Sequence, residues 1–308
     1  MNILVTGGAG YIGSHTIIEL FEQGYTNIFS IDNYLNSKEE NYKKIEKITG
    51  KLPNYSNIDL CDLESTRVFF SSHNIDAIIH FAALKSVPES VESSELYYRN
   101  NTLALLNLIS CMKEFNIPHI IFSSSCSVYG NPDKLPVNEL TPFGVAESPY
   151  ASTKQIGEII LKDFCKTNLK YTAIALRYFN PVGAHSSGLI GETFSKRPNN
   201  LIPIITQTAV GIRDEITVFG TDYNTKDGSC IRDYIHVVDI AKAHVKALEY
   251  QQKLDIETNY EVFNLGTGKG TSVLEIIHAF EKLSGLKLNY KLGDRRAGDI
   301  ETIYADNT

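Results

Sequence analysis

A run of glycines set between a short apolar segment and a patterned one constrains this chain more than any other feature. Thr6-Gly7-Gly8-Ala9-Gly10-Tyr11-Ile12-Gly13 follows Ile3-Leu4-Val5 and opens a segment to Gln23 whose apolar positions are Ile12, Ile17, Ile18, Leu20 and Phe21. A strand, a glycine turn and a helix in succession is the setting in which such a motif binds a dinucleotide. Gly8, Gly10 and Gly13 fit G-x-G-x-x-G, and Gly7, Gly10 and Gly13 fit the wider G-x-x-G-x-x-G. In either register the first glycines permit a tight turn, Gly10 admits a pyrophosphate against the main chain, and Gly13 lets helix and strand pack closely. The free N–H groups at the helix start then face the phosphates, and the helix dipole favours their charge. A second strand-like run, Asn27 to Ile31, ends at Asp32, 19 residues after Gly13. An acid there binds the adenosine ribose hydroxyls and repels a 2′-phosphate, so the pattern predicts NAD in preference to NADP.

The rest of the chain has the texture such a turn needs. Strand-like runs at Asn57-Ile58-Asp59, Asp76 to Phe81, Ile117 to Ser124 and Tyr171 to Tyr178 alternate with helical patterns. Those patterns are Ser37 to Gly50 (charged, read as an exposed helix), Glu64 to Ser71, Glu95 to Phe115 and Tyr150 to Asn168. Strands alternating with helices of this size predict βαβ units, a doubly wound parallel sheet with helices on both faces. After Phe179-Asn180-Pro181, Gly183 to Pro203 reads as loop, and a helix follows near Ile204 to Gly211. Arg232 to His236, a helix at Val238 to Glu249 and the strand Val262 to Leu265 could return to the main sheet. The expected division is therefore a nucleotide domain over 1–180, with 232–265 returning to it, and a smaller mixed α/β substrate domain over 181–308. Ligands of such sheets sit beyond the carboxyl ends of the strands, so the loops after Ile31, Phe81, Ser124 and Tyr178 should meet at one cleft.

Composition removes several other classes. A net charge of −7 and a pI near 5.7 argue against non-specific nucleic-acid binding, which relies on a basic footprint. Five scattered cysteines (Cys61, Cys111, Cys126, Cys165, Cys230), without C-x-x-C, suggest reduced thiols in the cytoplasm. No stretch is apolar for long enough to suggest a membrane span or a signal peptide. The eight histidines show no ligand spacing, and His80 and His119 read as core or surface residues, so no metal is expected.

Two further stretches carry chemistry. Phe122-Ser123-Ser124-Ser125 ends an apolar strand in hydroxyls, and Ser148-Pro149-Tyr150-Ala151-Ser152-Thr153-Lys154 begins a helix, Pro149 suiting its first turn. Tyr150 and Lys154 are four apart and share a face. Tyrosine, with a reference pKa of about 10, is a poor base at neutral pH. A lysine ammonium one turn away and the positive nicotinamide ring of NAD would favour its phenolate. With Ser125 holding a substrate hydroxyl, the set suits removal of a hydroxyl proton while the attached carbon gives up hydride. Such a pair alone also occurs by chance on helices; its company here makes the catalytic reading the stronger one.

With these residues in place the chain resembles the extended short-chain dehydrogenase/reductases, and among them the UDP-glucose (UDP-galactose) 4-epimerases. The resemblance rests on Val5 to His15, Asp32-Asn33, His80 to Lys85, Phe122 to Ser125, Val128-Tyr129-Gly130, Tyr150 with Lys154, Leu176 to His185, Pro198 to Leu201, Arg232 to Val237, Asn264-Leu265-Gly266, and Arg295-Arg296 with Gly298-Asp299. These run from end to end. The resemblance implies a homodimer that retains NAD as a prosthetic group and inverts C4 of UDP-glucose or UDP-galactose through a transient 4-keto sugar. It places NAD against Gly7, Gly10, Tyr11, Ile12, Gly13, Asp32, Asn33, Asn36, Ser37, Asp59, Leu60, Phe81, Ala82, Ala83, Lys85, Asn100, Ser125, Tyr150, Lys154 and Phe179. It places the UDP-sugar against Ser125, Tyr150, Asn180, Asn200, Leu201, Phe219, Arg232, Arg296, Asp299 and Ile303. The arginines make independent sense, since charged, forked donors suit a diphosphate.

Some residues depart from the pattern. Cys126, after the last serine, reads as packing and not as a nucleophile. Pro88, Cys230 and Glu192 to Arg197 also differ. Ile303 stands where the resemblance implies a gate on the sugar pocket, intermediate between a bulky tyrosine and a small residue, which keeps N-acetylated UDP-sugars open. The chain ends at Thr308, some tens of residues before such proteins usually end, which leaves the C-terminal end of the substrate domain open. A 4,6-dehydratase would carry an acidic pair after Ser125, where Cys126-Ser127 stand. A non-catalytic NAD-binding scaffold would not need Tyr150, Lys154 and Ser125 together.

Overall fold

The computed structural model describes residues 1–192, 198, 200–253, 259–296 and 298–308. Its first half runs β1 (Asn2–Thr6), α1 (Tyr11–Glu22), β2 (Asn27–Asp32), α2 (Glu40–Thr49), β3 (Asn54–Asn57), α3 (Leu63–Ser72), β4 (Ala77–His80), α4 (Val87–Glu92), α5 (Ser94–Phe115), β5 (His119–Ser125), α6 (Pro149–Thr167) and β6 (Thr172–Tyr178). The second runs β7 (Asn180–Val182), α7 (Leu201–Ala209), β8 (Ile216–Phe219), β9 (Ile231–His236), α8 (Val237–Gln251), β10 (Tyr260–Leu265), β11 (Gly270–Ser272), α9 (Val273–Ser284), β12 (Tyr290–Gly293) and β13 (Thr302–Ile303).

Seven strands form one parallel sheet in the order β10-β6-β5-β4-β1-β2-β3. It is the doubly wound arrangement expected from the alternation of strands and helices. Both faces are buried because successive strand residues feed opposite apolar clusters. Ile3, Val5, Ile79 and Ile121 join α1, α2 and α8 on one side; Leu4, Ile78, Ile120 and Phe122 join α3, α5 and α6 on the other. The winding direction reverses between β1 and β4, and a crevice opens beyond their carboxyl ends.

The remaining strands are short. β9 pairs with β7, β11 and β13, and β8 pairs with β12. β10 pairs with β6, so the chain enters the second sheet at β7, comes back to it at β9 and reaches the main sheet again through α8. A small apolar cluster of Ile205, Ile216, Val218, Ile277 and Leu288 ties α7 and α9 to the β8–β12 pair.

Local departures from the sequence reading have simple causes. α2 begins at Glu40 and not at Ser37, because Ser37 turns its hydroxyl to Asp32 at 2.7 Å. One face of α2 is buried through Tyr42 and Ile45, so this helix is not wholly exposed. α4 was not expected from the sequence: Ser86 caps it through Glu89 N, and Pro88 lies in its first turn, where no intrahelical donor is lost. α7 begins at Leu201, so Pro203 lies in its first turn and not in the preceding loop. β3 ends at Asn57, leaving Ile58 and Asp59 as the loop that follows.

Candidate active site

Two cavities lie side by side beyond the strand ends, of about 300 and 160 Å³, and share Pro181 and Asn200 in their walls. The first is built on the glycine turn. Gly7 takes φ +70°, and a Cβ there would come within 2.7 Å of Ala82 N, in the loop after β4. A Cβ on Gly13 would be driven into the Gly7 carbonyl, and one on Gly8 into the Ser30 hydroxyl of β2. Of the two glycine spacings, the set Gly7, Gly10 and Gly13 lines the cavity, while Gly8 serves packing against the sheet. Gly10 caps α1 without any side-chain acceptor, so the first-turn N–H groups are presented as an anion site.

Asp32 ends β2 at the rim of this cavity. Its carboxylate accepts from Ala9 N at 3.1 Å, Tyr34 N at 2.9 Å and Ser37 Oγ at 2.7 Å. Burial raises its pKa and these bonds draw it back. A carboxylate has about four acceptor positions, so one remains for a ribose hydroxyl. The uncapped helix start, this acid and the apolar walls of Ile31, Ile58, Leu60 and Ala104 fit a dinucleotide. All twenty residues that the resemblance assigned to NAD line this one cavity.

Tyr150, Lys154 and Ser125 meet at its inner end. Ser148 caps α6 by accepting from Ala151 N at 3.2 Å, which sets the register that puts Tyr150 and Lys154 on one face. Lys154 Nζ donates to the Ser123 carbonyl at 2.6 Å and stands 5.8 Å from the centre of the Tyr150 ring. Burial pushes the Tyr150 phenol up to about 12, with the hydrogen bond to Ser125 working the other way. Burial brings the Lys154 ammonium down to about 8, opposed by Glu158. The protein's own groups thus hold Tyr150 neutral, and Lys154 does less to ionise it than its spacing suggested.

The second cavity gathers Asn180, Leu201, Phe219, Arg232, Arg296 and Asp299, with Asn200 on the shared wall. Arg296 pairs with Asp299 at 2.7 Å and lies over the Phe219 ring, while its Nε is buried without a partner. A buried guanidinium donor left unpaired at a cavity wall is a donor for a charged ligand. Ile303 lines neither cavity. Pairing of β13 with β9 turns it into a cluster with Cys126, Val128 and Phe179, where it is 1% exposed. Cys126 lies in the same cluster, its thiol pushed up to about 12 by burial, which fits packing.

The sequence reading gave no site role of their own to Glu192, Tyr178 and Glu158, and named Ser123 only within the serine run that ends β5. Glu192 accepts from Lys85 Nζ at 2.7 Å and Asn200 Nδ2 at 3.0 Å, so one carboxylate joins the walls of the two cavities. It stands at the start of the departing stretch, of which 193–197 lie outside the described residues. Tyr178 and Ser123 line the first cavity at the strand ends to which the carboxyl-end rule pointed. His80 is buried against Thr6 Oγ1 at 2.8 Å, and no cluster of three metal-ligating side chains occurs among the described residues. Nor is any described helix long and apolar enough to cross a membrane.

Comparison with known proteins agrees with this geometry. The NAD dependent epimerase/dehydratase family matches residues 3–266. The UDP-glucose 4-epimerase of Bacillus subtilis (strain 168) is 49% identical over 306 residues, covering 99% of this chain and 89% of that protein. The Drosophila melanogaster UDP-glucose 4-epimerase is 48% identical over 312 residues, with 99% and 89% covered. A crystal structure of the Bifidobacterium longum UDP-glucose 4-epimerase in complex with NAD+ and UDP superposes with a TM-score of 0.95 at 47% identity, covering 99% of this chain and 90% of that one. The chain belongs to the NAD dependent epimerase/dehydratase family.

Proposed function

We propose that this protein catalyses the reversible C4 epimerisation of UDP-galactose and UDP-glucose, through a transient 4-keto sugar and a tightly held NAD. The observation that carries the reading is the meeting of Tyr150, Lys154 and Ser125 at the inner end of a dinucleotide cavity, beside a second cavity walled by Arg232 and Arg296. Its relatives support the UDP-sugar over the other sugar nucleotides of the family.

The glycine turn, Asp32 and Lys85 would hold NAD, which would supply reversible hydride-acceptor chemistry at this site. Tyr150 Oη takes the proton of the sugar 4-hydroxyl as C4 loses hydride, holds it, and returns it to the 4-oxygen. Ser125 orients that hydroxyl. Lys154 offsets the negative charge on the phenolate, against the burial that keeps Tyr150 neutral. Arg232 and Arg296 grip the diphosphate while the keto sugar turns about it, so the opposite face of C4 is presented. Residues 1–180, rejoined through α8 and β10, act as the cofactor half and 181–308 as the substrate half. The same family resemblance supports a cytoplasmic homodimer, which fractionation and sedimentation velocity test.

Purified protein incubated with UDP-galactose without added NAD should yield UDP-glucose, measured after quenching with UDP-glucose dehydrogenase. No product at any protein concentration overturns the reading. Parallel rates with UDP-N-acetylgalactosamine decide whether N-acetylated sugars are also accepted.

A further inference from the structure

Tyr150, Lys154 and Glu158 stand at i, i+4 and i+8 on α6 and so share one helix face. The face meets three consecutive serines ending β5: Lys154 donates to the Ser123 carbonyl, Glu158 accepts from Ser124 Oγ, and Tyr150 shares a cavity wall with Ser125. Glu158 is 2% exposed. Its carboxylate also accepts a fork from Arg177, Nε at 2.9 Å and Nη2 at 2.7 Å, and Tyr260 donates at 3.3 Å. Arg177 Nη1 donates to the Tyr129 hydroxyl at 2.8 Å, which donates to Asn264 Oδ1 at 2.7 Å. A buried ion pair is costly to desolvate, and apolar packing often replaces it without loss of stability. Here it lies directly behind the reactive pair, where a charge has work to do that apolar packing cannot.

We infer that Glu158 is a positioning residue for the epimerase chemistry: its buried carboxylate seats α6 on β5 and keeps the neighbouring Lys154 protonated beside Tyr150. The inference rests on the roles proposed above for Tyr150 and Lys154. Lys154 faces Tyr150 and Glu158 on its own helix and His80 on β4; Tyr178 on β6 and Cys126 after β5 face Tyr150, Arg177 on β6 and Tyr260 on β10 face Glu158, and Tyr129 stands beyond Arg177. On α4 and α5, which pack on α6, Glu89 is held by Tyr97, and Asn101 by Thr153. Burial holds His80 neutral and Cys126, Tyr178 and Tyr260 un-ionised, leaving Glu158 as the anion in this shell. Burial already brings Lys154 down to about 8, so small changes in this field alter its charge near neutral pH.

Two variants test the charge by its sign, in the holoenzyme. Glu158→Gln removes the anion and leaves Arg177 unpaired, so Lys154 loses its proton earlier. The alkaline limb of kcat for UDP-galactose should move to lower pH by on the order of one unit, with KM little changed. Arg177→Met leaves the anion and removes the competing cation, so the limb should move to higher pH. Loss of packing alone would lower the melting temperature of both variants and move neither limb. A limb that coincides with the parent's in either folded variant, or moves the same way in both, overturns the inference. A parent that converts nothing would overturn the reaction instead.

Discussion

Replacing Gly10 with alanine should separate cofactor binding from folding. Gly10 has φ −75° and ψ 176°, open to any L-residue, and a Cβ there meets only the Gly7 carbonyl oxygen, at 3.1 Å. The stiffer unfolded chain favours the variant by about 0.4–1 kcal/mol. The tight contact opposes that gain, so stability should stay within about 1 kcal/mol of the parent. The methyl nevertheless stands in the wall of the first cavity, against the start of α1. It takes the space through which a phosphate reaches the first-turn N–H groups. Losing one hydrogen bond to a charged acceptor, about 1.5–3 kcal/mol, lowers affinity roughly 10- to 150-fold. Gly13→Ala is the contrast, since its methyl meets the Gly7 carbonyl and comes within 2.9 Å of Gly8 Cα. Relief requires α1 to shift on a core that includes Ile17, Leu20 and Phe21, an overpacking cost of about 1–3 kcal/mol. The assay is thermal unfolding together with the NAD retained through gel filtration and released by acid. Gly10→Ala should melt near the parent and lose NAD, whereas Gly13→Ala should lose both stability and NAD. Full retention of NAD by a folded Gly10→Ala would refute the assignment of this turn to the phosphates.

Tyr150→Phe should abolish turnover while NAD stays bound, because the phenol serves proton transfer; near-normal kcat would show that another group is the base. Burial lowers the pKa of His15 to about 4, of His80 to about 3 and of His244 to about 4, against 6.5 when exposed. The unfolded chain therefore binds more protons below pH 6.5, and stability present above that pH should fall as pH drops toward 4. The slope is up to ~1.4 kcal/mol per pH unit for each histidine, read from urea midpoints, and a flat profile would mean that they are not held neutral. Ile303→Ala should destabilise by about 2–5 kcal/mol, since it empties a buried site beside Cys126 and Phe179, and a much smaller fall in the urea midpoint would place Ile303 outside that cluster.

How much of this was legible in the sequence depends on how many residues each feature needs. β1, the glycine turn and α1 could be read because period, breaker and cap all act within 22 residues of one another. α4 could have been read from Ser86 and Glu89, a cap and its partner three apart, had Pro88 been seen as a first-turn residue. β7, β11 and β13, of two or three residues each, are too short to carry a period. Their pairing with β9 decides where Arg232 and Ile303 point, which is why the sugar-gate expectation for Ile303 met a buried residue.

The α6 face shows the same limit within one helix. Tyr150 and Lys154 were legible as a reactive pair because a tyrosine has no other route to acting as a base. Glu158, one turn further on, follows the same spacing, but a glutamate on a helix usually faces water. What buries it is Arg177, a charged residue within the all-buried strand β6, and Ser124, in the strand beside it. A cation in an otherwise apolar strand requires an anion on the helix covering that strand. The sequence offers that anion at Glu158, in register with the lysine. Read in this order, from the arginine that must be satisfied to the carboxylate that can reach it, the third member of the face follows from charge balance and not from any motif.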